Sequence, residues 1–371
     1  MHNVAPDGVG TPGPAPAPRA LAKEAAMTVA IPFHLKHAAP RAGHVLSLAD
    51  LDPDGIAELL DDAAMLKAAP QQARHAVDGP LAGRSVALLF QKPSLRTRVS
   101  FEVGVARLGG TPVVLGGAEI GFGAREPIQD IARSLSRYVD GIVARLLHHA
   151  DLEALAAATT VPVINALTDV EHPCQALADL LTLREQLGSL EGRRVAWIGD
   201  GNNVAHSLIL GAVSTGIHLS VATPRGYEPD AVIVDRALAI AAETGATIRF
   251  GHDPVAAATD AEAVCTDVWT SMGQEAEADR RRRDFAGFTV SEALLERTND
   301  AVVLHCLPAH RGEEIDGDVI DGPRSVVFDQ AENRLWVQKA LLVQLVGARS
   351  LGARRPTGQL PLPMVLPAAP R

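Results

Sequence analysis

The stretch Lys92–Glu102, KPSLRTRVSFE, gathers two hydroxyl side chains and two guanidinium groups within five residues. A strand-like run, Ser85–Phe90, leads into it and a helical pattern follows. Ser94 is a good helix N-cap, because its hydroxyl can accept an orphan backbone N–H. Arg96 and Arg98 then fall in the first helical turn, where the macrodipole disfavours a cation by roughly 0.3–1 kcal/mol. A bound dianion reverses that sign. Free N–H groups with Ser94, Arg96, Thr97 and Arg98 make a cradle for phosphate. For Arg98 the competing reading is an i,i+4 pair with Glu102 on a solvated face.

Other polar groups stand where strand-like runs end: Arg145, then His172-Pro173-Cys174-Gln175, Gly199–Asn203, Asp267–Gly273 and Cys306-Leu307-Pro308. The run VAWIGDGNNVAHS is a strand, a glycine turn and a helix, as in dinucleotide-binding folds. Val204 stands in place of the third glycine of that fingerprint, and no acidic residue ends the next strand. Asparagines in such a turn instead suit a small polar substrate. Cys306 has no base beside it, so spacing alone marks it as packing rather than a nucleophile. His172 has the alternative of a satisfied core histidine, and Pro173 is a candidate for a cis bond that fixes its turn.

The elements that must position these groups alternate. Helices are expected at 54–69, 95–108, 128–138, 152–158 and 175–188, and strands at 85–90, 111–115, 141–144 and 163–165. A second series has strands at 194–198, 218–222, 247–250, 263–266 and 301–305. Its helices are expected at 205–215, 230–244 and 253–258, and a helix at 335–346 closes the chain. Such βαβ alternation predicts two doubly wound parallel-sheet α/β domains joined by bridging helices. They abut near residue 187. In such folds ligands bind beyond the carboxyl ends of the strands, where the polar groups lie.

Composition agrees. Apolar residues make up 47% of the 371 residues and aromatics only 4%, so the core is aliphatic, as parallel sheets require. A net charge of −10 argues against non-specific nucleic-acid binding, so an anionic ligand needs a local basic pocket. Three widely spaced cysteines give no zinc spacing and fit a reducing, cytoplasmic setting. No apolar run is long enough for a membrane span. Residues 1–43, rich in Ala and Pro, and 353–371 read as disordered tails. The first lacks the apolar region of a secretory signal and has too few basic residues for a transit peptide.

The motifs SLRTR, HPCQALADLLT, GDGNNVAHS, DVWTSMGQE and HCLPAHRGEEI, in this order, resemble the aspartate/ornithine carbamoyltransferase family. The last two resemble its ornithine-using members. The resemblance covers roughly 46–346. It implies a carbamoyl phosphate-binding domain (44–186), an ornithine-binding domain (187–334) and a C-terminal helix packing back on the first domain (335–352). It implies a homotrimer with active sites at subunit interfaces, without metal or cofactor. The reaction would be carbamoyl phosphate plus L-ornithine giving L-citrulline and phosphate, in arginine biosynthesis.

By the same resemblance, Ser94, Leu95 (through its backbone), Arg96 and Thr97 would hold the phosphate. Arg145, His172 and Gln175 would hold the carbamoyl group. Cys306 and Leu307 would line the meeting point of the substrates, and Arg334 would reach carbamoyl phosphate. Asn203, Asp267, Ser271 and Met272 would bind ornithine, with Asp267 taking the α-ammonium. The catalytic set would be Arg96, Thr97, Arg145, His172 and Cys306.

Two positions depart from the pattern. Leu95 stands where Thr is usual, which matters little if that position acts through its N–H. Glu119 stands where many relatives have Gln, in a loop resembling one lent to a neighbour's site; a carboxylate repels a dianion, so no direct contact is expected. The alternatives are a relative using putrescine, N-acylated ornithine or aspartate, a non-catalytic binding protein on the same fold, and a dehydrogenase. The aspartate version wants basic residues where DVWTSMGQE stands.

Overall fold

The computed structural model describes residues 1–2, 43–69, 78–122, 125–271 and 273–347. Apart from residues 1, 2 and 43, the expected tails lie outside the described residues, as does Met272. All elements below belong to one compact unit.

The first half holds β1 (Ser85–Phe90), β2 (Thr111–Gly116), β3 (Gly141–Arg145) and β4 (Val163–Leu167) in a parallel sheet of order β2-β1-β3-β4. The second holds β5 (Arg194–Ile198), β6 (His218–Ala222), β7 (Ile248–Gly251), β8 (Ala263–Thr266) and β9 (Val302–His305), all parallel, in the order β7-β6-β5-β8-β9. Strands such as SVALLF are buried on both faces, which is why they read as continuous apolar runs rather than alternations. Two doubly wound sheets are therefore present, as the alternation predicts.

Each sheet reverses its winding once, between β1 and β3 and between β5 and β8. At such switch points adjacent connections run to opposite faces and leave a crevice at the strands' carboxyl ends. The crevices receive Ser94–Thr97 and Arg145 in the first half, and Asp200–Asn203 and Asp267 in the second.

Along the chain the helices α3 (Gly117–Ile120), α4 (Ile128–Leu135) and α5 (His149–Ala158) precede α6 (Pro173–Leu187), and α7 (Asn203–Ser214), α8 (Ala231–Thr244), α9 (Pro254–Ala258), α10 (Ala278–Asp284), α11 (Glu292–Leu295) and α12 (Gly317–Ile320) precede α13 (Val327–Val346). The halves are joined by α6, which is buried from Pro173 to Leu183, and by α13. α13 packs on α6, on α1 (Pro53–Ala68) and on α2 (Leu95–Arg107), and also touches β9. One apolar core accordingly runs from Leu48 through Leu180 and Trp197 to Leu342. The outer face of each sheet has its own smaller core.

Four details differ from expectation. α13 starts at Val327 rather than Leu335, because its first turns carry the buried polar residues Gln330, Asn333 and Arg334, which break the apolar period. A helix at Ala278–Asp284 was not expected, since ADRRRRD has no apolar stripe. α6 starts at Pro173, whose fixed φ suits a first helical position. The cis X–Pro bond among the described residues is Leu307–Pro308, not the one before Pro173.

Candidate active site

The two crevices open into one cleft of about 920 Å³ between the halves. Every proposed site residue among those described lines it, from Ser94, Leu95, Arg96 and Thr97 to Cys306, Leu307 and Arg334. Arg145, His172 and Gln175 enter from the first half, and Asn203, Asp267 and Ser271 from the second.

Ser94 sits at the N-cap of α2 with extended backbone (φ −156°, ψ 116°), but its hydroxyl makes no capping bond. The cap expected from sequence is therefore not made within the chain. The first turn of α2 contains no acidic residue, so its N–H groups and Arg96 are unneutralised by local carboxylates. Arg98 turns outward to Glu102 at 3.4 Å on the exposed face, the bland reading of that residue. Leu95 is 74% exposed, so only its backbone belongs to the helix start.

Behind the helix start lies a buried polar cluster. Arg334 donates to Gln175 Oε1 (2.6 Å) and to Thr97 Oγ1 (3.0 Å). Gln175 Nε2 donates to Asp179 Oδ1 (2.8 Å), and Gln330 Nε2 donates to the same oxygen (2.7 Å). Gln330 Oε1 then accepts the His305 backbone N–H (2.9 Å), so the chain of bonds crosses from α2 to β9. Asp179 and Gln330 were missed as positioning residues by sequence reasoning. Asp179 lies in the quoted HPCQALADLLT, one helical turn after Gln175, and that spacing was the available signal.

Burial and the neighbouring Arg334 lower the Arg145 pKa to about 10. Burial also lowers that of Arg334, whose guanidinium is partly offset by Cys174, Cys306 and Asp179. Burial first, then Arg334 and Arg145, drive His172 well below the ordinary histidine range, so its ring is neutral near pH 7. Arg145 Nε, Arg334 Nε and His172 Nδ1 are buried without a hydrogen-bond partner among the described residues. Buried orphan polar atoms are rare and destabilising. All three belong to residues that line the cleft beside the bare helix start.

The opposite wall is acidic and held rigid. Asp267, 5% exposed, accepts from Asn202 Nδ2 (2.8 Å) and from Cys306 Sγ (2.9 Å). Asn202 also caps the helix Asn203–Ser214 through Oδ1, and Asn203 Nδ2 donates to Thr168 O (2.5 Å) across the halves. Burial and the Asp267 carboxylate raise the Cys306 thiol well above its usual range, which removes it as a nucleophile at neutral pH. Gly201 packs its N–H on Tyr227 O (2.9 Å), and an added Cβ would meet that oxygen at 2.6 Å. The glycine turn thus serves close backbone packing. Glu119 is exposed and accepts the Gly116 N–H (2.6 Å), so its carboxylate caps its own short helix.

Asp267, His305 and Cys306 bring ligand-type atoms within 4.8 Å of one another. Both ring nitrogens of His305 are already engaged, by Leu307 N–H and Glu314, and the thiol is bonded to Asp267. That donor set is saturated internally and does not suit a cation.

Comparison with known proteins agrees with this geometry. Residues 43–185 match the carbamoyl-P binding domain of aspartate/ornithine carbamoyltransferase, and 191–345 match the Asp/Orn binding domain. The chain is 54% identical over 307 residues to an ornithine carbamoyltransferase of Acidothermus cellulolyticus, covering 82% of this chain and 97% of the relative. Its structure resembles the ornithine carbamoyltransferase of Pyrococcus furiosus, with a TM-score of 0.80 at 48% identity over 84% of this chain and 98% of that one. An N-acetyl-L-ornithine transcarbamylase structure is more distant, at 32% identity and a TM-score of 0.73, over 82% and 99% of the two chains. With both domains matched in order and the cleft between them carrying the expected side chains, the chain belongs to the aspartate/ornithine carbamoyltransferase family.

Proposed function

We propose that this protein is an ornithine carbamoyltransferase, moving the carbamoyl group of carbamoyl phosphate to the δ-amine of L-ornithine. The observation that carries this reading is the polarity of one cleft. Arg96, Arg145 and Arg334 converge on one wall and the buried Asp267 stands on the other. An anionic donor and an ammonium-bearing acceptor are thereby sorted to opposite sides. The segment 267–275 carries no basic residue for a second carboxylate, and Arg281, which donates to Trp269 O, is already paired with Asp200, which disfavours aspartate. The higher identity to ornithine enzymes than to the N-acetylornithine enzyme favours a free α-amine.

In this reading the α2 N-terminus, Ser94, Arg96 and Thr97 hold the phosphate, and Leu95 contributes its N–H. Arg145, His172 and Gln175 grip the carbamoyl group. The neutral His172 ring has one N–H to give to the carbonyl oxygen, alongside Thr97 and Arg145. Negative charge grows on that oxygen as the amine adds, and a single preorganised donor there is worth about 2.7–4 kcal/mol. Arg96 and Arg334 then stabilise the departing phosphate. Asp267 binds the α-ammonium, with Asn203, Ser271 and Met272 completing the amino-acid subsite. Cys306 and Leu307 border the point where amine and carbonyl meet. The carbonyl carbon is already activated, so positioning and charge stabilisation suffice.

We further place the protein in arginine biosynthesis, in the cytoplasm, as a homotrimer. All three cysteines are unpaired, in keeping with a reducing compartment. The exposed Leu95, which lines the cleft, suits a neighbouring subunit's approach. Citrulline or its analogues should be assayed with ornithine, putrescine, N-acetylornithine and aspartate in parallel. Ornithine should exceed each rival by at least about 100-fold in kcat/KM, the loss expected when a buried charged partner is left unpaired. Equal or better turnover of another amine overturns the assignment.

A further inference from the structure

We propose that His305 and Glu314 are a positioning pair that sets the Cys306–Leu307 segment, a role resting on the carbamoyl-transfer reading above. Both side chains are fully enclosed, and neither lines the cleft. His305 ends β9, with its backbone N–H held by Gln330 Oε1 at 2.9 Å. Its Nδ1 lies 2.9 Å from the Leu307 backbone nitrogen. A backbone N–H only donates, so Nδ1 is the acceptor and bears no proton. The ring proton is therefore on Nε2, which lies 3.0 Å from Glu314 Oε1.

The same carboxylate oxygen accepts the His310 backbone N–H at 2.6 Å. Glu314 thus fixes the tautomer of His305 and ties the far end of the segment in one stroke. The ring then draws the Leu307 N–H back toward the strand. Leu307 adopts φ +56°, a left-handed conformation that a branched side chain enters only under constraint. The constraint matters because of where the segment sits. Cys306 lines the cleft together with Arg145 and Arg334 and is bonded to Asp267. Moving it shifts the seam between the two subsites.

Glu314 Oε2 has no hydrogen-bond partner among the described residues and lies 3.8 Å from His310 Nδ1. Burying a carboxylate with an orphan oxygen destabilises a fold. A residue chosen for packing alone would be apolar here, so the acceptor is there for what it positions.

Four variants test the pair: Glu314→Leu, Glu314→Gln, His305→Ala and His305→Asn. A misplacement of about 1 Å away from the chemistry lowers rates on the order of 100-fold. Glu314→Leu and His305→Ala should therefore lose about that factor in kcat, with both KM values and the calorimetric Kd of carbamoyl phosphate changing under about 3-fold. Glu314→Gln retains an acceptor for Nε2–H and His305→Asn retains one for Leu307 N–H, so both should stay within about 10-fold of wild type. Wild-type kcat in the leucine and alanine variants, with only a lower Tm, overturns the proposal. Should those variants fail to fold, 15N NMR of ring-labelled wild-type protein decides, with His305→Asn assigning the signal. A proton on Nδ1 of His305 refutes the pair. The NMR and phosphate-donor binding readouts do not depend on which amine is carbamoylated, so failure of the ornithine reading is separately visible.

Discussion

Replacing Arg96 by Ala should move stability and activity in opposite directions. Arg96 occupies the first turn of α2, has no acidic neighbour in that turn, and makes no ion pair among the described residues. Burial chiefly, and the Arg96 charge as the smallest contribution, lower the pKa values of Arg145 and Arg334, as like-charge repulsion requires. Removing it relieves a macrodipole conflict of roughly 0.3–1 kcal/mol. At about 2–4 °C per kcal/mol for a protein this large, the ligand-free Tm should stay level or rise by up to about 4 °C. The lost interaction with phosphate is a charge-assisted hydrogen bond of about 1.5–3 kcal/mol. One such bond corresponds to roughly 10- to 150-fold in kcat/KM for carbamoyl phosphate, and a bidentate pair to the square of that. Differential scanning calorimetry without ligand and a citrulline assay over a carbamoyl phosphate series measure the two quantities. A ligand-free protein destabilised by more than 1 kcal/mol, or a rate within 2-fold of wild type, would refute the reasoning.

Asp267→Asn should raise the KM for ornithine by about 10- to 100-fold while calorimetric binding of carbamoyl phosphate stays within about 3-fold, because one partner of an ammonium–carboxylate pair is lost; a reversed pattern would reassign that wall. Asp179, pushed by burial up to about 6, accepts from both Gln175 and Gln330 on Oδ1, and these bonds are stronger when the carboxyl is ionised. kcat/KM for carbamoyl phosphate should therefore fall as pH drops through about 6, and Asp179→Asn should abolish that limb; a limb that persists in the variant belongs to another group. Because its folded pKa is raised from 3.8, Asp179 contributes stability that is complete below about pH 4 and lost as pH rises through about 6. The Tm of Asp179→Asn relative to wild type should accordingly be higher at pH 8 than at pH 5, as calorimetry at the two values will show. Glu119→Gln keeps an oxygen to accept the Gly116 N–H, so activity should be unchanged or higher and stability within about 0.5 kcal/mol; a collapse in rate would mean that the carboxylate itself is needed.

The sequence alone determined the two parallel-sheet halves, since apolar runs and helical periods alternate in an order that admits few topologies. The polar groups it singled out at strand ends line one cleft, because they interrupt an apolar pattern that can be read without coordinates, whereas Arg334 entered only through the family resemblance. Arg96 was legible for a further reason, that its charge contradicts its local helix position. Tertiary structure decided the rest. The hydroxyl of Ser94 forgoes its cap, Arg98 turns away to Glu102, and α13 begins eight residues early with polar side chains buried. Each depends on what faces the residue from another element, and that is not encoded in local period or propensity. Gln330 and Glu314 are the sharpest cases. In the sequence Gln330 is a polar residue without a pattern and Glu314 is one of two adjacent acids in HCLPAHRGEEI, and only the packing of α13 on α6 and of the loop after β9 back on His305 makes them partners of Asp179 and His305. Local chemistry specifies which groups a segment offers; long-range packing specifies which of them are left unsatisfied, and therefore which can act.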